Sequence, residues 1–308
     1  MSTAPVAAVD VGSNSVRLLV LDGDGRRVLR RIETTRLAAG VDARGRLDDA
    51  AIVRTAAAIE GFRDDWVRLG ATRVRITATS AARDAVDRDR LLDVVEAATG
   101  VRPEVIDGAE EAALAFEGAT AGVAVEAPTA VVDVGGGSTE LVLGDADGRL
   151  VAATSMRLGC VRLTERTLHH DPVTPEERAR AASEVEQVLD AAMEELGGAA
   201  PRPRALVAVA GTATTLAALE LGLDRYDEGR IHGTRMTLAS LQRARDALLD
   251  LDAAARAALG PMQPGRADVI HGGAVVLAAV ARRLGVGHIV VSERDGLDAV
   301  AERLRSGS

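Results

Sequence analysis

Hydrophobic and polar positions along the chain fall into two regimes that alternate. Val6 to Val11 and Val16 to Leu21 are short, nearly solid apolar runs separated by Gly12-Ser13-Asn14-Ser15, the pattern of two buried strands joined by a tight turn. Asp22-Gly23-Asp24-Gly25 then reads as a hairpin turn into a third strand. Beyond it the period changes. Ile52, Ile59, Phe62, Trp66 and Leu69 recur at helical spacing across Asp48 to Leu69, and Gly70 stops the helix. Arg73 to Thr79 alternates as a strand, and Asp89 to Ala98 returns to helix.

The opening then repeats. Val9-Asp10-Val11-Gly12-Ser13-Asn14-Ser15 is matched by Val132-Asp133-Val134-Gly135-Gly136-Gly137-Ser138, and position 10 to position 133 is a spacing of 123. Asp145-Ala146-Asp147-Gly148 supplies the second hairpin turn. Downstream, Thr174-Pro175-Glu176-Glu177 is a capping box opening a helix that ends at Gly197-Gly198. Leu206 to Ala210 is a strand running into Gly211-Thr212 and another helix. Arg266 to Leu284 reads as a long buried helix, His288 to Ser292 as the last strand and Leu297 to Leu304 as the last helix. A motif repeated once at domain spacing predicts two related α/β lobes with mixed sheets. The boundary falls in Ala121 to Pro128, which gives residues 1–125 and 126–308.

Composition removes several chemistries. All 37 basic residues are arginine, so a P-loop lysine, a Schiff-base lysine and a PLP lysine are excluded. The aromatic residues are Phe62, Phe116, Trp66 and Tyr226, too few for a base-stacking platform. Against 46 acidic residues the net charge is −9, unsuited to general binding of duplex nucleic acid or an anionic membrane surface. The single Cys160 forbids an internal disulfide and fits a reducing compartment. No signal peptide is read at the N-terminus, and the longest apolar run, Gly272 to Ala281, is short for a bilayer. A cytoplasmic location is expected.

Candidate chemistry gathers on the repeated turns. The loops after Asp10 and Asp133 expose successive backbone N–H groups that suit phosphate oxygens, and Ser13, Asn14, Ser15, Ser138 and Thr139 add donors. An aspartate at each strand end can hold Mg²⁺, commonly through water. One such turn alone reads as well as a tight hairpin corner, whereas two copies at domain spacing favour the phosphate reading. Glu110 and Glu111 open a helix, where they either serve its dipole or provide a general base. Arg83 follows the Arg73–Thr79 strand, a position for a surface guanidinium or for a phosphate clamp. His169, His170, His232, His271 and His288 show no zinc spacing. The turn is not G-x-G-x-x-G, and Glu140-Leu141-Val142-Leu143 continues as strand where a dinucleotide fold needs a helix.

Six segments occur in an order that resembles the exopolyphosphatase/guanosine pentaphosphate phosphatase (Ppx/GppA) family. They are Asp10-Val-Gly-Ser-Asn-Ser, Thr77-Ala-Thr-Ser-Ala-Ala-Arg83, Gly108-Ala-Glu-Glu-Ala112, Asp133-Val-Gly-Gly-Gly-Ser-Thr-Glu140, Gly159-Cys-Val-Arg-Leu-Thr-Glu165 and Ala210-Gly-Thr-Ala-Thr-Thr215. The resemblance spans essentially the whole chain and is nearest to short, two-domain actinobacterial-type members. It implies two ribonuclease-H-like lobes of the actin/sugar-kinase/chaperone superfamily with an inter-lobe active-site cleft. It implies Glu111 as base for the attacking water, and Asp133 and Glu140 as essential acids around Mg²⁺, with Asp10 as a further ligand and Mn²⁺ as a substitute ion. Arg83 corresponds to the arginine on the terminal phosphate. Gly12 to Ser15 and Gly135, Gly136, Gly137 and Ser138 correspond to two phosphate loops, with Gly211-Thr212 as a further one. The implied reaction is attack of water on the terminal phosphoryl group of inorganic polyphosphate, with release of orthophosphate by a homodimer.

Two departures are visible. Longer members continue into helical C-terminal domains, and the family's Gly-Leu-Arg-like signature is here Gly296-Leu297-Asp298. Alternatives are guanosine pentaphosphate as substrate, a sensor that binds without turnover, and a kinase of the same superfamily. The kinase lacks a visible base pocket and catalytic aspartate.

Overall fold

The computed structural model describes residues 4–13, 15–38, 41–197, 202–263 and 265–307, the side chains of 42, 43 and 80 excepted. By its contacts the chain divides into two compact units, residues 1–118 with 296–308, and residues 119–295.

The first unit opens with β1 (Val6–Val11), β2 (Ser15–Leu21) and β3 (Arg27–Thr34), an antiparallel meander. After α1 (Val41–Arg44) come α2 (Asp49–Arg68), β4 (Arg73–Ala78), α3 (Ser80–Asp84), α4 (Arg88–Thr99), the short β5 (Glu104–Val105) and α5 (Gly108–Thr120). The five-stranded sheet runs β3-β2-β1-β4-β5, with β4 parallel to β1. Alternation sorts its faces. Ala7, Val9, Val11, Val16, Leu18 and Val20 join Ile59, Phe62 and Trp66 of α2 in one core cluster. Val6, Ala8, Leu19 and Leu21 look the other way, into a second cluster with Leu114 of α5.

That second cluster is closed by the last helix of the chain. It holds Leu297, Ala299, Val300 and Ala301 of the C-terminal helix, and Asp298 there takes ion pairs from Arg27 (3.5 Å) and Arg30 (3.0 Å) of β3. The division into 1–125 and 126–308 therefore needs correction: residues 296–308 belong with the N-terminal unit, and the first boundary lies after 118 rather than 125. The sheet face formed by Val6, Ala8, Leu19 and Leu21 needs an apolar cover, and the amphipathic terminal helix supplies it.

The second unit repeats the meander with β6 (Thr129–Val134), β7 (Thr139–Gly144) and β8 (Leu150–Met156). The match reaches detail. The β-bulge between Val20 and Leu21 returns between Leu143 and Gly144, and Gly25 and Gly148 both take positive φ (81° and 75°) in their hairpin turns. Next follow α6 (Cys160–Thr167), α7 (Pro175–Leu196), β9 (Ala205–Val209), α8 (Ala210–Glu220), α9 (Glu228–Ile231), β10 (Arg235–Thr237), α10 (Leu238–Asp250), α11 (Ala253–Ala257), α12 (Ile270–Leu284) and β11 (His288–Val291). The chain closes with α13 (Gly296–Ser306) in the first unit. The six-stranded sheet runs β10-β11-β9-β6-β7-β8, with β9 parallel to β6. Its main core packs Ala130, Val132, Val134, Leu141 and Leu143 against α7, α8, α10 and α12.

The expected capping box is present. Thr174 accepts from the Glu177 amide, and the buried Glu177 carboxylate accepts from the Thr174, His169 and His170 amides. The expected helix from Arg266 begins only at Ile270, because residues 266–269 form turns. No sequence reading located α6 or α10 as helices. No helix among the described residues is long and apolar enough to cross a membrane.

Candidate active site

In the second unit Asp133 ends β6, and the hairpin register puts Glu140 of β7 directly opposite it. Directly paired residues share a face, so two carboxylates stand side by side. The turn between them is closed by the Gly135 amide donating to the Ser138 carbonyl (3.0 Å). Its carbonyls are turned onto the N-terminus of α6. Cys160 N donates to Gly135 O (2.9 Å), and Val161 N and Arg162 N donate to Gly136 O (2.9 and 3.1 Å). Arg162 Nε donates to Gly137 O (2.7 Å). A peptide unit whose carbonyl faces one way sends its N–H the other way, and among the described residues the amides of Gly136 and Gly137 meet no acceptor. Gly159 permits this seating, because a Cβ there would lie 2.5 Å from Gly136 O.

Glu140 is half-buried, and desolvation raises its carboxyl above the usual range against hydrogen bonds from the Ser138 and Ser155 hydroxyls. Two adjacent carboxylates, one of them partly desolvated, fit a Mg²⁺ ion that keeps several waters and takes phosphate oxygens at its other positions. Among the described residues no group of three or more His, Cys, Asp or Glu is placed to hold a metal ion.

The first unit holds the same turn with different charges. Gly12 N donates to Ser15 O (3.1 Å), while the Ser13 carbonyl accepts from Ala38 N (2.8 Å). Asn14 lies outside the described residues. Opposite Asp10 stands Arg17 in place of a glutamate, and its Nε and Nη2 both donate to Asp10 Oδ2 (3.1 and 2.6 Å). Asp10 is thus already paired with a cation.

In the same unit, Glu110 and Glu111 are sorted by their partners. Glu110 pairs with Arg75 (2.9 Å), as a surface residue of a first helical turn does. Glu111 pairs with Arg83 (2.9 Å), whose Nη1 also donates to the Ile106 carbonyl (3.1 Å). The two motif residues singled out from separate segments meet in one ion pair, which orients both.

Gly211 and Thr212 occupy the first turn of α8, where Ala210 adopts a positive φ of 64°. Thr212 as a whole residue is 1% exposed and its side chain packs under Gly273 of α12, so the structure commits it to the core rather than to the expected phosphate loop. A Cβ on Gly211 would overlap the guanidinium of Arg266. Arg266 went unnoticed in the sequence, and nothing local in its turn-rich segment marks it. Cys160 lies in reach of the Arg266 and Asp133 charges, but burial dominates and raises its thiol, which leaves it a packing residue.

The model of the Ppx/GppA phosphatase family matches residues 20–297. Exopolyphosphatase 2 of Mycobacterium tuberculosis (strain ATCC 25618 / H37Rv) is 44% identical over 98% of both chains. Guanosine-5'-triphosphate,3'-diphosphate pyrophosphatase of Aeromonas salmonicida is 29% identical over 93% of this chain and 56% of that protein. The crystal structure of the Aquifex aeolicus Ppx/GppA family member has a TM-score of 0.86 at 28% identity, covering 99% of both chains. The family-model match over residues 20–297 and a relative 44% identical over 98% of both chains, together with a fold shared from end to end, make this chain a member of the Ppx/GppA phosphatase family.

Proposed function

We propose that the protein is an exopolyphosphatase that hydrolyses the terminal phosphoanhydride of inorganic polyphosphate and releases orthophosphate. The observation that carries the reading is the Gly135–Ser138 turn. Its carbonyls are committed to α6 and the Gly136 and Gly137 amides are left for an anion, beside the Asp133–Glu140 carboxylates. The name of the M. tuberculosis relative supports the substrate class. Guanosine pentaphosphate fits less well. Phe62, Trp66 and Phe116 are buried, and the Tyr226 hydroxyl is bonded to Glu293 (2.6 Å), so every aromatic side chain is engaged in packing or in that bond.

In this reading Glu111 accepts a proton from the attacking water. Arg83 holds the Glu111 carboxylate in place and offers its remaining donors to the terminal phosphate. The Gly136 and Gly137 amides stabilise charge on phosphate oxygens without a lysine, and the Gly12–Ser15 turn and the backbone at Gly211 bind further oxygens. Asp133 and Glu140 would hold Mg²⁺ or Mn²⁺, which when bound neutralises phosphate charge and orients the anhydride. Asp10 is the corresponding carboxylate of the first unit, where Arg17 balances its charge. We assign the protein to the cytoplasm as a homodimer without nucleic-acid or membrane partners, supported by the −9 net charge, the single cysteine and the family.

Orthophosphate release from long polyphosphate, short polyphosphate and guanosine pentaphosphate, each with Mg²⁺ and with EDTA, tests the reading. Mg²⁺-dependent release that is at least tenfold faster from polyphosphate is expected. Tight polyphosphate binding with no release from any substrate would establish a sensor instead.

A further inference from the structure

Arg256 of α11 is 2% exposed and is the largest fully buried side chain of the protein. Its guanidinium is enclosed by four acceptors from three segments. Nη2 pairs with Asp171 Oδ1 (2.9 Å), Nη1 donates to Leu248 O (3.2 Å) and Leu251 O (2.5 Å), and Nε donates to Ala267 O (2.7 Å). The second Asp171 oxygen accepts the Ala253 amide (2.5 Å) at the start of α11. Burying an ion pair seldom improves stability over well-packed hydrocarbon, so its presence calls for a geometric reason.

That reason lies in what Nε holds. Residues 266–269 are turns between α11 and α12 with no helix or strand ladder of their own. Arg266 N donates to Gln263 O (3.2 Å), and Arg266 O accepts from Val269 N (3.0 Å) and Ile270 N (2.9 Å). The adjoining Ala267 carbonyl is then tied to Arg256. The backbone of Arg266 is thereby pinned on both sides, and the guanidinium of this half-buried residue lies against Gly211 in the first turn of α8.

We propose that Arg256, through its pair with Asp171, is a positioning residue that fixes the 266–269 turn and so holds the Arg266 guanidinium over Gly211 for a phosphate oxygen of the substrate. The inference rests on the exopolyphosphatase reading for the nature of that substrate. Arg256 itself is sealed from solvent and acts only through Arg266. A lysine at 256 keeps the charge but lacks the fork that spans Ala267, Leu251 and Asp171 together.

A double-mutant cycle between positions 256 and 266 tests it, read as kcat and KM for phosphate release from polyphosphate, alongside thermal melting. Arg256→Lys and Arg266→Ala should each lower kcat/KM by about 10- to 100-fold, the loss that follows from removing one charge-assisted contact. The double variant should be no worse than about threefold below Arg266→Ala alone. A purely structural Arg256 lowers the melting temperature and multiplies its loss onto either background, and that additivity overturns the proposal. If Arg256→Lys does not fold, Asp171→Asn, which retains an oxygen for Ala253 N, takes its place in the same cycle. If wild-type protein releases no phosphate, the function reading fails. The cycle is then run on tripolyphosphate affinity by calorimetry, where coupled losses support the link and additive losses refute it. Full activity in Arg266→Ala refutes the role of Arg266 and the proposal with it.

Discussion

Substituting Gly159 by alanine isolates the seating of the phosphate turn on α6. Gly159 has an extended backbone (φ −156°, ψ 171°) that any residue can adopt, so the substitution adds a methyl group without conformational strain. That methyl would meet Gly136 O at 2.5 Å, Gly136 C at 2.6 Å and Gly135 O at 2.7 Å. A comfortable carbon–oxygen separation is about 3.3 Å, so the turn and the helix must part by about 0.8 Å. The obstacle is backbone, which cannot swing aside as a side chain would. Overpacking of this kind costs about 1–3 kcal/mol, and the three amide bonds from Cys160, Val161 and Arg162 lengthen together. The Gly136 and Gly137 amides shift with their carbonyls, and a displacement near 1 Å in a positioning group costs on the order of 100-fold in rate. Phosphate release from polyphosphate, with a melting curve on the same sample, measures both effects. A fall of about 30- to 100-fold in kcat/KM is expected, with a melting temperature lower by roughly 2–10 °C. Gly61→Ala, a helix-interior site with nothing within 4 Å, should leave activity intact. A folded Gly159→Ala protein within threefold of wild-type activity would refute the claim that α6 positions the turn.

Four further outcomes are expected. Glu111→Gln, which loses the base but keeps a partner for Arg83, should reduce kcat by about 10²–10⁴-fold with a normal melt; near wild-type turnover would remove Glu111 from the mechanism. Gly211→Ala displaces only the flexible end of Arg266, so stability should change by less than about 1 kcal/mol while kcat/KM drops about tenfold or more; unchanged kinetics would show that Arg266 is not needed there. Burial, aided by the Arg256 charge, pushes the His271 imidazole down to about 4 from its ordinary 6.5, so the unfolded chain takes up a proton first. Stability should therefore fall as pH drops from 6.5 through 4, by up to about 3 kcal/mol, and His271→Leu should flatten that part of the denaturation profile; an unchanged slope would contradict the assignment. Deleting residues 296–308 strips Leu297, Ala299, Val300 and Ala301 from the first unit, each 3% exposed or less. The loss is on the order of 5 kcal/mol, comparable with the whole stability of a domain, and should give insoluble protein; a soluble truncated protein with a cooperative melt would argue against it.

The chain's local rules were written plainly in its sequence. Period-two and period-3.6 patterning located the meanders, α2, α4 and the capped α7, because each depends on neighbours a few positions apart. The copied Asp-Gly turn implied two related units. The hairpin register that sets Asp133 against Glu140, and Asp10 against Arg17, follows from turn length alone. Tertiary structure decided what distant segments do to one another. Glu110 and Glu111 are equivalent in sequence, and only the placement of β4 and α3 sends one to Arg75 and the other to Arg83. An amphipathic C-terminal helix announces that it will be buried but not against which sheet, so α13 joined the first unit unannounced. The same holds for α6 under the glycine turn, and for the Arg256–Asp171 pair that brings Arg266 onto Gly211. Hydrophobic periodicity states which face seeks cover, whereas the identity of the partner is settled by the packing of the whole chain.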